Sequence, residues 1–202
     1  MQRFLNAFLL IMSFVIAGLA TAPLMASESS GKPRVLIETN KGNILVELEP
    51  YRAPTSVQNF LAYVKQGFYT NTLFHRVVEG MVIQAGGFDA SGVRKLTRSS
   101  IRNESSNGLD NVKGTIAMAR TTEPDSATSQ FYINVADNPD FNARYDQPGY
   151  AVFGKVIEGM DVVMQIASTP VTEVRGIGQE VPVEPIIITK ASQVTSKENP
   201  AK

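Results

Sequence analysis

FHRVVEGMVIQAGG, residues 74–87, holds one arginine, Arg76, and one glutamine, Gln84, in a short run that is otherwise largely apolar and ends on Gly86 and Gly87. From Val77 to Gln84 the run is short and rich in β-branched residues, which suits a strand, and the glycine pair reads as a close-packed turn. Similar short apolar runs, broken by Gly, Asn and Asp, recur at Gly114–Arg120, Phe131–Val135 and Tyr150–Val156. Such spacing predicts a closed or sandwiched antiparallel sheet.

Outward from that segment, Arg34–Glu49 carries two partly alternating β-branched stretches around Asn40-Lys41-Gly42-Asn43, which predicts a hairpin. PTSVQNFLAYVKQGFY follows, with Val57, Phe60, Leu61 and Val64 at helical spacing, a capping box in Thr55 and Gln58, and Gly67 placed to end the helix. A second helix is expected over Met160–Ala167, with Met160, Val163, Met164 and Ala167 as its apolar stripe, and a last strand over Pro185–Thr189. Residues 34–190 are read as one domain, and 191–202 as a polar C-terminal tail with little to bury.

Residues 1–26 pair a single basic residue, Arg3, with a long apolar run and a small-residue end, which reads as a secretory signal peptide cut after Ala26. The competing reading is an uncleaved anchor, because the run approaches the roughly 20 apolar residues that span a bilayer. Residues 27–33, SESSGKP, read as a mobile linker.

Composition excludes several chemistries. The chain has no cysteine, which removes disulfides, thiol nucleophiles and sulfur-ligated metals. His75 is its only histidine, so a His-rich metal site and a two-imidazole mechanism are excluded, and a satisfied structural imidazole is the favoured reading. Bases and acids balance at 19 each, so charge names no nucleic-acid or membrane partner. Arg94, Lys95, Arg98 and Arg102 cluster in one loop without interleaved aromatics, which reads as a solvated surface. Thr128 and Ser129 lack the Gly-x-Ser-x-Gly elbow of a serine hydrolase.

Three segments, FHR…GMVIQAGG, ATSQFYI and YAVFGKV, stand in the order and at the spacing found in the cyclophilins, and over about Arg34–Lys190 the chain resembles that family, most closely its periplasmic Gram-negative members. The resemblance implies an eight-stranded antiparallel β-barrel closed by two helices, with the active groove on the outer barrel face. It implies a peptidyl-prolyl cis/trans isomerase acting on X-Pro bonds of unfolded or partly folded exported polypeptides, periplasmic and monomeric, with no cofactor or metal.

Rotation about X-Pro meets a barrier of about 18–20 kcal/mol, and the twisted imide nitrogen gains a basic lone pair that the planar ground state lacks. A donor aimed at that nitrogen binds the transition state selectively. Arg76 matches the family arginine given this role, and Gln84 the glutamine that orients it and touches the substrate backbone. Met81, Val82, Tyr132 and Phe141 fall where cyclophilins line the proline pocket; Ala119, Arg120 and Gln130 fall along the peptide groove, with the main chain at Arg120 as substrate anchor. The same residues also admit duller readings: a paired surface arginine, and barrel core for Met81, Val82 and Tyr132.

The pattern departs from the family at Met81, usually aromatic, at Val82, usually methionine, and at Tyr132, usually phenylalanine. Tyr150 stands where many eukaryotic members carry histidine, and there is no tryptophan, with Phe141 near that position. Weak cyclosporin binding is therefore expected. Two other functions stay open on the sequence: a proline-segment binding module, and a structural protein of the cell envelope.

Overall fold

A computed structural model of the chain describes residues 31–194; the expected leader, most of the linker and the end of the tail lie outside them. Strand β1 (Arg34–Thr39) turns through Asn40 and Lys41 into β2 (Gly42–Leu48), so the predicted hairpin forms, with Gly42 and Asn43 already inside the second strand. The end of the linker is tied down rather than loose: the Pro33 carbonyl accepts from the Leu48 N–H at 2.8 Å, and Lys32 pairs with Glu49.

Helix α1 (Pro54–Lys65) buries Val57, Phe60, Tyr63 and Val64. Its first turn is not held by the predicted capping box. Pro54 opens the helix, and the carboxylate of Glu104, from a distant loop, accepts from the Thr55 N–H at 2.9 Å, the Ser56 N–H at 2.8 Å and the Ser56 hydroxyl at 2.7 Å. A negative charge at a helix N-terminus satisfies free N–H groups and meets the positive end of the helix dipole. Burial opposes ionisation of Glu104, but the bonds from Ser56 and Thr55 outweigh it and hold this carboxyl below its ordinary value.

The run read as one strand from Val77 to Gln84 is two strands. Strand β3 (Thr72–Val78) turns at Glu79–Met81 into β4 (Val82–Asp89), because Gly80, at φ +68°, takes the left-handed conformation that a tight turn requires. Gly86 and Gly87, expected at a turn, lie inside β4. A Cβ on Gly86 would sit 2.8 Å from the Ser129 carbonyl oxygen, and one on Gly87 2.7 Å from Gln130 Cδ, so these glycines permit a close approach of the neighbouring chain.

Strands β5 (Thr115–Met118), β6 (Phe131–Asn134) and β7 (Val152–Glu158) precede α2 (Met160–Ala167). Helix α2 buries Val163, Ile166 and Ala167, whereas Met164, placed on the stripe by spacing, is 39% exposed. A hairpin with no counterpart in the sequence-based expectation, β8 (Val171–Val174) and β9 (Gly178–Pro182), forms its own two-stranded sheet. Strand β10 (Ile187–Val194) runs beyond Thr189, where the last strand was expected to stop, because Lys190 to Val194 pair residue by residue with β1.

Eight strands close a barrel in the order β1-β10-β3-β4-β6-β5-β7-β2, antiparallel at every pairing. The expected fold is therefore the observed one. Both helices feed side chains into the barrel core, where Phe60, Tyr69, Phe74, Phe131 and Phe153 pack with ring centroids 5.2–6.5 Å apart. In the basic loop, Arg94 lies 4.9 Å from the Phe88 ring centroid and Lys95 4.4 Å from that of Phe68, so two of its cations staple the loop to the barrel.

Candidate active site

Alternation along the strands sorts residues between two environments. Ile83 and Ala85 of β4, Phe131 and Ile133 of β6, and Ile116 and Met118 of β5 point into the barrel. Their neighbours Val82, Tyr132, Ala117 and Ala119, with Val152 of β7, form a second apolar cluster on the outer face, with Val78, Leu109, Phe141 and Tyr150 packed around it.

Arg76 reaches that outer face through a β-bulge. Phe74 pairs with Ala85 and Arg76 with Gln84, so two steps along β3 match one along β4, and His75 is the extra residue. Without the bulge, Arg76 would share the inward face of Phe74; with it, Arg76 lies directly across from Gln84. Gln84 in turn pairs with Tyr132. Arginine, glutamine and tyrosine thus form one row across three strands.

Gln84 donates through Nε2 to Gln130 Oε1 at 2.8 Å, and Gln130 itself lies against Gly87. Arg76 is 41% exposed in its side chain, and its Nε meets Glu180 Oε2 of β9 at 3.4 Å. Among the described residues its terminal nitrogens have no hydrogen-bond partner.

Tyr132, Phe141 and Tyr150 pack edge to face or tilted, with centroids 5.1–5.8 Å apart. The Tyr132 hydroxyl donates to Asn111 Oδ1 at 2.7 Å, and burial, with Tyr150 adding to it, raises the phenol well above its ordinary pKa, so it stays a neutral donor. Asn111 is buried and its Nδ2 reaches the Phe141 and Tyr150 carbonyls and Asn142 Oδ1, which knits two loops over the patch. Asn138 Nδ2 bonds the Met81 carbonyl at 3.0 Å, fixing the β3–β4 turn where Met81 is 36% exposed.

Arg120 spends its guanidinium on the Gly149, Pro148 and Thr121 carbonyls and lies 4.6 Å from the Tyr150 ring centroid, so its side chain braces the loop. His75 is buried at the bulge, its ring 4.8 Å from that of Phe88 and its Nδ1 without a partner. Burial lowers its pKa to about 4; the Leu73 backbone and the Gln130 side chain oppose the shift, while Arg94 and Arg76 reinforce it. The Ser129 hydroxyl donates to the Gly86 carbonyl at 2.7 Å in a buried contact, a structural tie.

A fold of this topology with arginine and glutamine beside an outer apolar patch meets its family match directly. The model of the family described as cyclophilin type peptidyl-prolyl cis-trans isomerase/CLD matches residues 34–193. The chain belongs to the cyclophilins. It is a peptidyl-prolyl cis-trans isomerase.

Among similar cyclophilins, a peptidyl-prolyl cis-trans isomerase of Acinetobacter baylyi is 51% identical over 176 residues, covering 87% of this chain and 91% of that one. Peptidyl-prolyl cis-trans isomerase A of Dickeya dadantii is 46% identical over 190 residues, covering 94% and 96%. A crystal structure of a cyclophilin of Cryptosporidium parvum aligns with a TM-score of 0.68 at 27% identity, over 81% of this chain and 98% of its own. The same protein crystallised in the presence of the dipeptide Ala-Pro aligns at 0.67 with 27% identity, covering 80% and 99%.

The structure gathers Arg76, Gln84, Gln130, Val82, Ala119, Tyr132, Phe141 and Tyr150 on one face, with Met81 at the turn and Arg120 at the loop edge. Sequence reasoning missed Ala117 and Val152, although Ala117 stands two residues before Ala119 and strand alternation pointed to it. It also missed Asn111, Asn138 and Glu180, for which no local pattern gives a signal, since each acts through contacts distant in sequence.

Proposed function

We propose that this isomerase works on X-Pro bonds of exported proteins outside the cytoplasm, with Arg76 and Gln84 as its catalytic residues. The observation that carries the catalytic assignment is the cross-strand pairing of Arg76 with Gln84 on the outer face, beside the apolar patch of Val82, Ala117, Ala119 and Tyr132. Export rests on the leader-like residues 1–26 and on similarity to an enzyme named isomerase A. Among the described residues no helix is long and apolar enough to cross a membrane.

In this reading the proline ring seats on the patch, with Met81, Phe141 and Tyr150 at its rim. The substrate backbone meets Arg120, whose N–H and C=O make no hydrogen bond among the described residues, and the side chains of Gln84 and Gln130. As the imide twists, the guanidinium donates to the pyramidal nitrogen. A charged donor contributes about 1.5–3 kcal/mol, or roughly ten- to a hundredfold in rate. The remainder comes from holding one side of the imide while the other turns, against a wall that excludes water.

A protease-coupled assay on a proline tetrapeptide tests the assignment. Arg76→Ala is expected to lose roughly ten- to a hundredfold in kcat/KM; activity equal to the parent protein sinks it. The reading includes a monomer and weak cyclosporin binding, because the phenyl ring of Phe141 offers no indole N–H at the pocket rim. A calorimetric titration giving tight binding overturns the cyclosporin part.

A further inference from the structure

Arg76 and Glu180 meet only because two strands depart from regular pairing. On β3 the extra residue His75 turns Arg76 outward. On β9 the register passes from Val181 opposite Thr172 to Gly178 opposite Val174, three steps against two, so an extra residue lies in the stretch holding Gln179 and Glu180. Bulges re-aim side chains, and here one on each partner directs a carboxylate and a guanidinium toward each other.

The hairpin that carries Glu180 is itself secured. Strand β9 packs against β3. At the hairpin tip Ile177 lies against Gly92 of the β4–β5 loop, so close that a Cβ there would fall 2.9 Å from Ile177 Cδ1. At its base the Val183 N–H donates to the Pro170 carbonyl at 2.9 Å. The carboxylate is therefore delivered from a fixed support rather than from a free loop.

At 3.4 Å, with side chains 41% and 39% exposed, the pair is too long and too wet to be a source of stability. Its contact is confined to Nε of Arg76 and leaves both terminal nitrogens to a ligand. Holding one edge of a long cation restricts its rotamers before substrate arrives, and a preorganised donor loses less entropy in the transition state.

We infer that Glu180 is a positioning residue for the isomerase reaction, holding the Arg76 guanidinium by its Nε edge; this rests on the catalytic reading of Arg76. The carboxylate touches no reacting atom. It restricts the orientations from which the terminal nitrogens donate, so its removal lowers kcat and leaves ground-state binding, and hence KM, in place.

The experiment measures kcat, KM and thermal midpoint for the full chain, Glu180→Ala, Glu180→Gln, Arg76→Ala and the Arg76→Ala/Glu180→Ala pair. Glu180→Ala is expected to lower kcat about two- to fivefold, with KM and midpoint unchanged. Glu180→Gln, which keeps an acceptor at the same place, restores part of the loss, and in the Arg76→Ala background the Glu180 change has no further effect. Parental kcat in Glu180→Ala alongside a crippled Arg76→Ala overturns the positioning role alone. The same fold-loss with and without Arg76 also overturns it, while full activity in Arg76→Ala overturns both readings.

Discussion

Neighbouring residues on β4, β6 and β5 face two environments that are both apolar and both largely covered, yet are closed by different means. Ile83, Phe131, Ile133 and Met118 are shut in by the opposite barrel wall and the two helices. Val82, Ala117 and Tyr132 are covered by loops that Asn111 and Asn138 hold through hydrogen bonds, with Leu109, Phe141 and Tyr150 around them. A core closed by barrel and helices opens only by unfolding, whereas a patch closed by loops can admit a proline ring. On the proposed catalytic reading, one strand thereby serves stability on one face and catalysis on the other, and substitutions one residue apart should report on different properties.

The sharpest way to break this contrast is at Phe131 and its neighbour. Phe131→Ala opens a cavity among three aromatic partners, Phe60, Tyr69 and Phe74, and is expected to cost about 3–5 kcal/mol in urea denaturation. A loss below about 1 kcal/mol would mean the inner face is not the load-carrying core.

His75, at the bulge that exchanges the faces of β3, comes next. Because its folded-state pKa is lowered from 6.5 to about 4, the unfolded chain takes up a proton first as pH falls. Stability from this group is complete above about 6.5, is lost on acidification between there and about 4, and changes no further below; the total is about 3 kcal/mol. Urea midpoints across that window should fall for the parent protein and flatten for His75→Gln, and parallel profiles would refute the assignment. Glu104, with its carboxyl held below its ordinary 4.5, acts in a lower window, where protonation removes the cap of α1 as pH falls through its folded value.

The smallest expected effect sharpens the outer face. Tyr132→Phe removes the hydroxyl bond to Asn111 Oδ1, which keeps a second donor in Asn134 Nδ2 at 3.2 Å, so stability should fall by only about 1 kcal/mol. The apolar ring remains, and kcat/KM should stay within about twofold. A tenfold loss of activity would place the hydroxyl itself in the reaction.

Legibility in the sequence followed the range of the interactions. The β1–β2 hairpin and both helices were readable because each rests on contacts a few residues apart. The barrel and the site row came through the three family-like segments rather than through periodicity, since strands apolar on both faces show no clean alternation in FYI or MVI. The β3–β4 turn was read as continuous strand because Val77, Val78, Val82 and Ile83 mask Gly80 between them. The β8–β9 hairpin escaped notice because VTEV and QEVP bury little and carry no strong apolar pattern.

What the sequence by itself determined was the inventory: no thiol, one imidazole, no excess of charge, and Arg76 and Gln84 among segments that mark the family. Local contacts also set the first turn and the two helices. Tertiary structure alone decided which way Arg76 faces and what meets it. Strand periodicity assigns Arg76 to the face of Phe74, and only the pairing of β3 with β4, one residue out of step at His75, moves it beside Gln84. The same holds for Glu180, delivered by a hairpin distant in sequence, and for Glu104 at the head of α1. The physical reason is common to all three: register and docking depend on where other segments lie, and no window of neighbouring residues contains that information.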